Sequence, residues 1–176
     1  MVHEVELRSF ISEQKYQDLM QFFSTHARRR SHEEQETHYF DCGQDLRIQK
    51  STNYAKVWLK KGNMHDDSRE EIEVKVEPDQ FSGLQELFAA LGYTVDIKWF
   101  RTRDIFEWDG ISVMLDHTRG YGHILEMECM VEDAEEIEET RQRLRAAFER
   151  LDVSITAKET FAERYEYYRR NWQELV

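Results

Sequence analysis

The chain has 176 residues, enough for one domain with a real core and too few for two ordinary ones. Charged residues make up 34% and hydrophobic ones 40%, the balance of a folded, water-soluble protein and not of a disordered one. A net charge of −12 argues against a general nucleic-acid or membrane binder, because both polyanions repel it at long range. It leaves room for a small anionic ligand that travels with a metal ion.

No apolar run is long enough for a transmembrane helix. The start, Met1-Val2-His3-Glu4-Val5-Glu6, has no basic and apolar leader, so no signal peptide is expected. Cys42 and Cys129 are the only cysteines and neither sits in a CxxC pair. They read as reduced thiols in a cytoplasmic setting, with no zinc site.

In chain order, a strand is expected over Val2–Phe10. A helix follows over Glu13–Ser24, with Tyr16, Leu19, Met20 and Phe23 at helical spacing. Arg28-Arg29-Arg30 reads as a solvated turn, or as a greeting point for an anionic substrate. A strand then runs over His32–Asp41, and Leu46–Lys50 and Tyr54–Lys61 make a hairpin across Ser51-Thr52-Asn53. Asn63–Asp67 reads as a polar turn, and Arg69–Glu77 alternates as a strand. Pro78-Asp79 opens a helix with Leu84, Leu87, Phe88 and Leu91 on one face, and Gly92 closes it. Three further strands are expected at Lys98–Trp108, Ile111–His117 and Ile124–Val131, with Asp109-Gly110 as the hairpin turn between the first two. Ala134–Leu151 is a charged amphipathic helix, and a last helix carries Phe161, Tyr165, Tyr168 and Trp172.

The faces of the strands carry the chemistry. Residues i and i+2 share one face of a strand. Glu4, Glu6 and Arg8 therefore oppose Val5 and Leu7. Arg47 and Gln49 oppose Leu46 and Ile48, and Lys56 and Lys60 oppose Val57 and Leu59. Arg69, Glu71, Glu73 and Lys75 oppose Ile72 and Val74; Asp116 opposes Val113 and Leu115; Glu126 and Glu128 oppose Leu125 and Met127. Two architectures fit this pattern. One is an antiparallel sheet with a wet face and helices on its dry face. The other is a closed barrel of about eight strands with a polar interior and helices outside. The mixture of Arg, Lys and Glu on the polar faces suits a metal–polyphosphate complex and favours the barrel. Glu4-Val5-Glu6 and Glu126-Met127-Glu128 each aim two carboxylates one way, a common means of holding Mg²⁺ or Mn²⁺.

These residues resemble the CYTH domain, the triphosphate tunnel metalloenzyme family that groups class IV adenylyl cyclases with thiamine triphosphatases. Its opening ExExK is similar to Glu4-Val5-Glu6-Leu7-Arg8, and its YFD-type strand to Tyr39-Phe40-Asp41. Its LRxR strand is similar to Leu46-Arg47-Ile48-Gln49, and its LKG ending to Trp58-Leu59-Lys60-Lys61-Gly62. RxExE is matched by Arg69-Glu70-Glu71-Ile72-Glu73, and a basic RxR by Arg101-Thr102-Arg103. The LD…GxG…ExE stretch is matched by Leu115-Asp116, Gly120-Tyr121-Gly122 and Glu126-Met127-Glu128. The matches cover nearly the whole chain in the family's order. Four departures stand out: Arg8 replaces Lys, Gln49 replaces the second Arg of LRxR, Trp58 stands where a small hydroxyl residue is common, and Lys158-Glu159-Thr160-Phe161 only loosely echoes a Lys-Ser-Tyr motif.

The resemblance implies an α+β fold: one domain over residues 1–176, an antiparallel eight-stranded closed barrel that forms a polar tunnel covered by helices. It implies metal binding by Glu4, Glu6, Glu126 and Glu128. Phosphates would be held by Arg8, Arg47, Lys56, Lys60, Arg69, Arg101 and Arg103. A second metal or the attacking water would fall to Glu71 and Glu73, with Asp116 nearby. The expected cofactor is Mg²⁺ or Mn²⁺ and the expected partner a small triphosphate-containing substrate, with a homodimer left open. The function implied first is a metal-dependent triphosphatase. A class IV-like adenylyl cyclase and a non-catalytic polyphosphate or nucleotide sensor stand as alternatives. The seven histidines form no HxxxH pair with a third ligand, so none is expected at a metal.

Overall fold

The computed structural model of the chain describes residues 3–61 and 71–176, and at Glu71 the backbone alone. The expected turn at 63–67 and Arg69 lie outside the described residues. Eight strands are present among the described residues: β1 (His3–Ile11), β2 (Arg28–Phe40), β3 (Asp45–Lys50), β4 (Ala55–Lys60), β5 (Glu71–Val76), β6 (Val95–Trp108), β7 (Ile111–Thr118) and β8 (Gly122–Val131). Four α-helices accompany them: α1 (Glu13–His26), α2 (Phe81–Ala90), α3 (Ile137–Arg150) and α4 (Lys158–Leu175). The fold is α+β, with an eight-stranded antiparallel sheet in the order β1-β8-β7-β6-β2-β3-β4-β5. That order ends at β1 and β5, so closure into a barrel is not seen among the described pairings.

Two local differences from the sequence reading have physical causes. Arg28-Arg29-Arg30 is not a turn but the start of β2. Arg29 pairs there with Asp104 and Arg30 with Glu107, both on β6, so distant carboxylates hold this cationic run extended. The helix expected from Ala134 starts at Ile137, after a 3₁₀ turn over Ala134–Glu136 that the Asp133 side chain caps through the Glu135 N–H. Helix α1 begins as its sequence demands, with the Ser12 hydroxyl accepting from the Lys15 N–H.

The chain packs as two compact units. The first comprises Met1–His32 and Thr102–Tyr168. Its core gathers the inward residues of β1, β7 and β8 (Val5, Val113, Leu115, Leu125, Met127) with Phe106 of β6, Phe23 of α1, and Leu144 and Phe148 of α3. The β6–β7 turn places Asp109 and Gly110 at φ 51° and 71°, the left-handed pair that a two-residue hairpin of this twist requires. The second unit comprises Glu33–Arg101 and Arg169–Val176. Its core is smaller: Phe40, Ile48, Ala55 and Phe81, backed by Leu84 and Phe88 of α2. Among the described residues, no helix is long and apolar enough to cross a membrane.

Candidate functional site

In the first unit, the alternation of β1 and β8 sorts charge from core. Val5 and Leu7 face Cys129 and Met127 on the core side, and the intervening residues share the opposite face. The register sets Glu6 directly opposite Glu128, and Arg8 opposite Glu126. On β7, Ser112 and Met114 continue these two rows. Like charges directly across a ladder repel, and the Glu6–Glu128 row sets two carboxylates face to face, whereas the Arg8–Glu126 row sets opposite charges face to face. Glu4 and Glu6 are exposed, and Glu126 and Glu128 are half-buried. Among the described residues, no three His, Cys, Asp or Glu side chains gather closely enough to hold a metal ion by themselves.

Arg103 of β6 is tied into this face. Its Nε and Nη2 donate to the two carboxylate oxygens of Asp116 at 2.7 and 2.6 Å, and Nη2 lies 3.5 Å from Glu126 Oε1. Asp116 is 3% exposed and Arg103 16%. Burial works against the guanidinium's charge, but Asp116, Glu126 and Glu128 outweigh it and hold its pKa well above the usual arginine value. Arg103 is therefore a fixed positive charge among carboxylates.

The Arg8 guanidinium lies 4.5 Å over the ring of Phe161, which stacks on Phe10 at 4.4 Å. The Phe10 amide donates to Thr156 Oγ1 at 3.0 Å, and Ser9 Oγ bonds the same hydroxyl at 2.9 Å, so the approach to α4 is pinned to β1.

In the second unit the polar face is cationic and aromatic. Register sets Arg47 opposite both Tyr39 and Trp58, Trp58 opposite Glu73, and Lys56 opposite Gln49 and Lys75. Arg47 donates to both oxygens of Asp45 at 2.6 Å and lies 4.3 Å over Tyr39 and 5.2 Å over Trp58. Lys56 lies 4.2 Å over the Trp58 ring and donates to Glu73 at 2.8 Å. The Lys56 hydrogen bond, with Lys75 at 3.3 Å, holds the Glu73 carboxyl below the usual range against a smaller burial effect.

Arg101 grips Gln35 Oε1 through Nε and Nη2 at 2.8 and 2.6 Å. Gln49, which stands where the resemblance expects arginine, is buried and donates to Thr37 at 2.9 Å. Lys60 pairs in register with Asp45 and with the Glu71 backbone, and lines a small cleft with Gly43, Gln44, Leu59 and Lys61.

Each unit thus brings together part of the expected set. The first holds Glu4, Glu6, Arg8, Arg103, Asp116, Glu126 and Glu128. The second holds Arg47, Lys56, Lys60, Glu73 and Arg101, with Glu71 on the same strand. Sequence reasoning missed Asp45 as the holder of Arg47, although Asp45-x-Arg47 is a same-face spacing. It also missed Asp104, which is 2% exposed and bound by Arg29 and by His32 at 3.0 Å.

The CYTH domain matches residues 2–161 of this sequence. The chain belongs to the CYTH domain family. That family includes triphosphatases and adenylyl cyclase-like enzymes and is in general metal-dependent. No curated protein matches the chain in sequence. Solved structures match it in shape. A conserved hypothetical protein from Pyrococcus furiosus aligns at TM-score 0.67 with 21% identity, over 87% of this chain and 94% of that one. A candidate adenylate cyclase from Vibrio parahaemolyticus aligns at 0.69 with 17% identity, over 93% and 98%. A candidate adenylyl cyclase from Hippeastrum, described as having a dominant triphosphatase activity, aligns at 0.65 with 17% identity, over 91% and 94%. At these identities the likeness speaks for the fold.

Proposed function

We propose that this protein is a metal-dependent triphosphatase, which splits a triphosphate with water to leave orthophosphate and the corresponding diphosphate. The observation that carries the reading is the Glu6–Glu128 row, two like charges facing each other beside a fixed Arg103. Mg²⁺ takes one or two carboxylates and fills its remaining positions with water and substrate phosphate oxygens. The Glu6–Glu128 pair supplies two such carboxylates from neighbouring strands. Mn²⁺ suits the same oxygen donors. Of Glu4, Glu6, Glu126 and Glu128, one or two would bind the ion directly and the others through its waters. When bound, it neutralises phosphate charge and polarises the phosphoryl oxygens.

The chain's own residues do the rest. Phosphoryl transfer asks mainly for positioning and charge stabilisation. Arg103, anchored by Asp116, presents a permanent positive charge, and Asp116 thereby acts as its positioning residue. Arg8, Arg47, Lys56, Lys60, Arg69 and Arg101 bind phosphate oxygens, and the arginines add forked geometry. Glu71 and Glu73 orient the attacking water. Arg8 has no role as proton donor, since a guanidinium keeps its proton at any working pH.

The test is phosphorus NMR of reactions with tripolyphosphate, ATP and thiamine triphosphate, each with Mg²⁺ and with Mn²⁺. Orthophosphate released together with the diphosphate supports the proposal, and the fastest reaction names the substrate. Cyclic AMP with pyrophosphate and no orthophosphate would make the protein an adenylyl cyclase, as the names of two structural neighbours suggest for those proteins. A folded protein that binds these compounds and turns over none of them would be a sensor, and the proposal would fall.

A further inference from the structure

We infer that the indole N–H of Trp58 is a ligand-binding donor, which gives its hydrogen bond to a phosphate oxygen beside Arg47 and Lys56. The inference rests on the triphosphate reading above and adds a specificity group to it.

Trp58 is 7% exposed, and its Nε1 is buried without an acceptor among the described residues. A buried tryptophan N–H ordinarily finds a partner, and leaving one unmet is costly. Trp172 behaves in the ordinary way: its Nε1 donates to the Asp96 carbonyl at 2.9 Å.

The neighbours explain why Trp58 does not. The groups lying over its ring are the Arg47 guanidinium at 5.2 Å and the Lys56 ammonium at 4.2 Å. Both side chains carry donors only and offer the indole no acceptor atom. Three sets of donors thus lie close together on β3 and β4, and their complement is an anion rich in acceptors. Phosphate is such an anion.

The carboxylates now bound to the two cations, Asp45 on Arg47 and Glu73 on Lys56, offer them the oxygen chemistry a phosphate would offer. The cations over the ring also speak against a stacked base or thiazolium at this position. The edge of the indole is left as its recognition group. An acceptor reaching that edge draws Lys56 from Glu73 and Arg47 from Asp45, so binding exchanges carboxylate oxygens for phosphate oxygens.

The experiment uses the full chain labelled with ¹⁵N-tryptophan, whose four indole signals are resolved in a proton–nitrogen spectrum. The spectrum of Trp58→Phe assigns the signal of interest, and Trp108 and Trp172 serve as internal references. Inorganic tripolyphosphate is titrated in one arm and ATP in the other. The expected result is a saturable downfield shift of the Trp58 indole proton in both arms.

In calorimetry, Trp58→Phe should bind tripolyphosphate about tenfold more weakly than the parent, the worth of one hydrogen bond to a charged acceptor. Its melting temperature should fall modestly, because the smaller ring gives up packing and part of the contact with the two cations. Tripolyphosphate binding with a static Trp58 signal, or with unaltered affinity in Trp58→Phe, overturns the inference and leaves the proposed function standing. A response to ATP alone assigns the acceptor to the nucleoside and also overturns it. Absence of binding in both arms removes the inference and the proposed function together.

Discussion

In the first unit, helices α1 and α3 bury the inner faces of β1 and β8 almost completely, and Val113, Leu125 and Met127 have no exposed surface. In the second unit, the ten-residue α2 covers β3 and β4 and leaves Ile72 and Val74 of β5 and its own Leu87 about half exposed. The polar faces differ in the same sense. Carboxylates surround one locked arginine in the first unit. In the second, arginine and lysine side chains rest on aromatic rings and borrow nearby carboxylates. Large buried cores raise the local cost of opening, and small ones lower it. The acidic set therefore sits on the stiffer scaffold, which under the proposed function suits ligands that must fix an ion. The basic set sits on the more yielding one, which under the same proposal suits side chains that exchange partners for phosphate.

The largest effect expected from this contrast is on turnover. Glu126→Gln with Glu128→Gln should lower metal-dependent turnover about a thousandfold, since a bound ion supplies several kcal/mol of charge stabilisation. Lys56→Gln in the second unit should act mainly on KM, raising it about tenfold for one charge-assisted hydrogen bond. Steady-state kinetics on the substrate found by phosphorus NMR would measure both. A KM effect from the carboxylate pair and a turnover effect from Lys56 would invert the assignment of roles.

Stability separates the two cores next. Phe148, which is 1% exposed, should cost about 3–5 kcal/mol when changed to alanine. Leu84 is only half-buried against the smaller core, and Leu84→Ala should cost about 1–2 kcal/mol. Urea unfolding would show the ranking, and equal losses would remove the distinction between a stiff and a yielding unit.

The ion pairs extend the comparison at lower amplitude. Asp116→Ala leaves Arg103 as a buried charge with the more distant Glu126 beside it, and should cost about 3 kcal/mol. Glu73→Gln loosens the Lys56 pair at a site where the carboxylate is 31% exposed, and should cost less than about 1 kcal/mol. The same urea experiment checks both.

Much of this was legible in the residues. Period-two alternation placed Val5, Leu7, Met127 and Cys129 on one side and Glu6, Arg8, Glu126 and Glu128 on the other. The Arg103–Asp116 pair was also within reach. Arg103 stands six residues before Asp109 and Asp116 six residues after Gly110, so a two-residue Asp109-Gly110 turn brings them level. The start of β2 was not legible. Nothing local distinguishes three solvated arginines from three arginines on a strand; the distinction is made by Asp104 and Glu107, more than seventy residues later. Closure of the sheet was beyond reach for a similar reason, because alternation reports which side of a strand is wet and not where the sheet ends.

The smallest effect expected is a pH dependence seated in the second unit. His38 lies on the core side of β2, with Nε2 2.6 Å from Glu36 Oε1 and its ring against Phe81. Burial lowers its pKa below 6.5; the Glu36 carboxylate opposes that shift and Lys98 adds to it, and the net direction is down. The folded chain therefore resists a proton that the unfolded chain accepts. Stability from this group is complete above the unfolded-state value of 6.5 and drains away as pH falls from there toward the folded pKa. Below that lower value both states are protonated and the loss levels off. Urea midpoints should thus decline between pH 7 and pH 5.5, and His38→Gln should flatten that decline. An undiminished slope in the variant would move the proton uptake elsewhere. The first candidate is His123 in the first unit, whose pKa burial and the stacked His117 also lower against Glu13. Even this minor term would then belong to the stiffer of the two units.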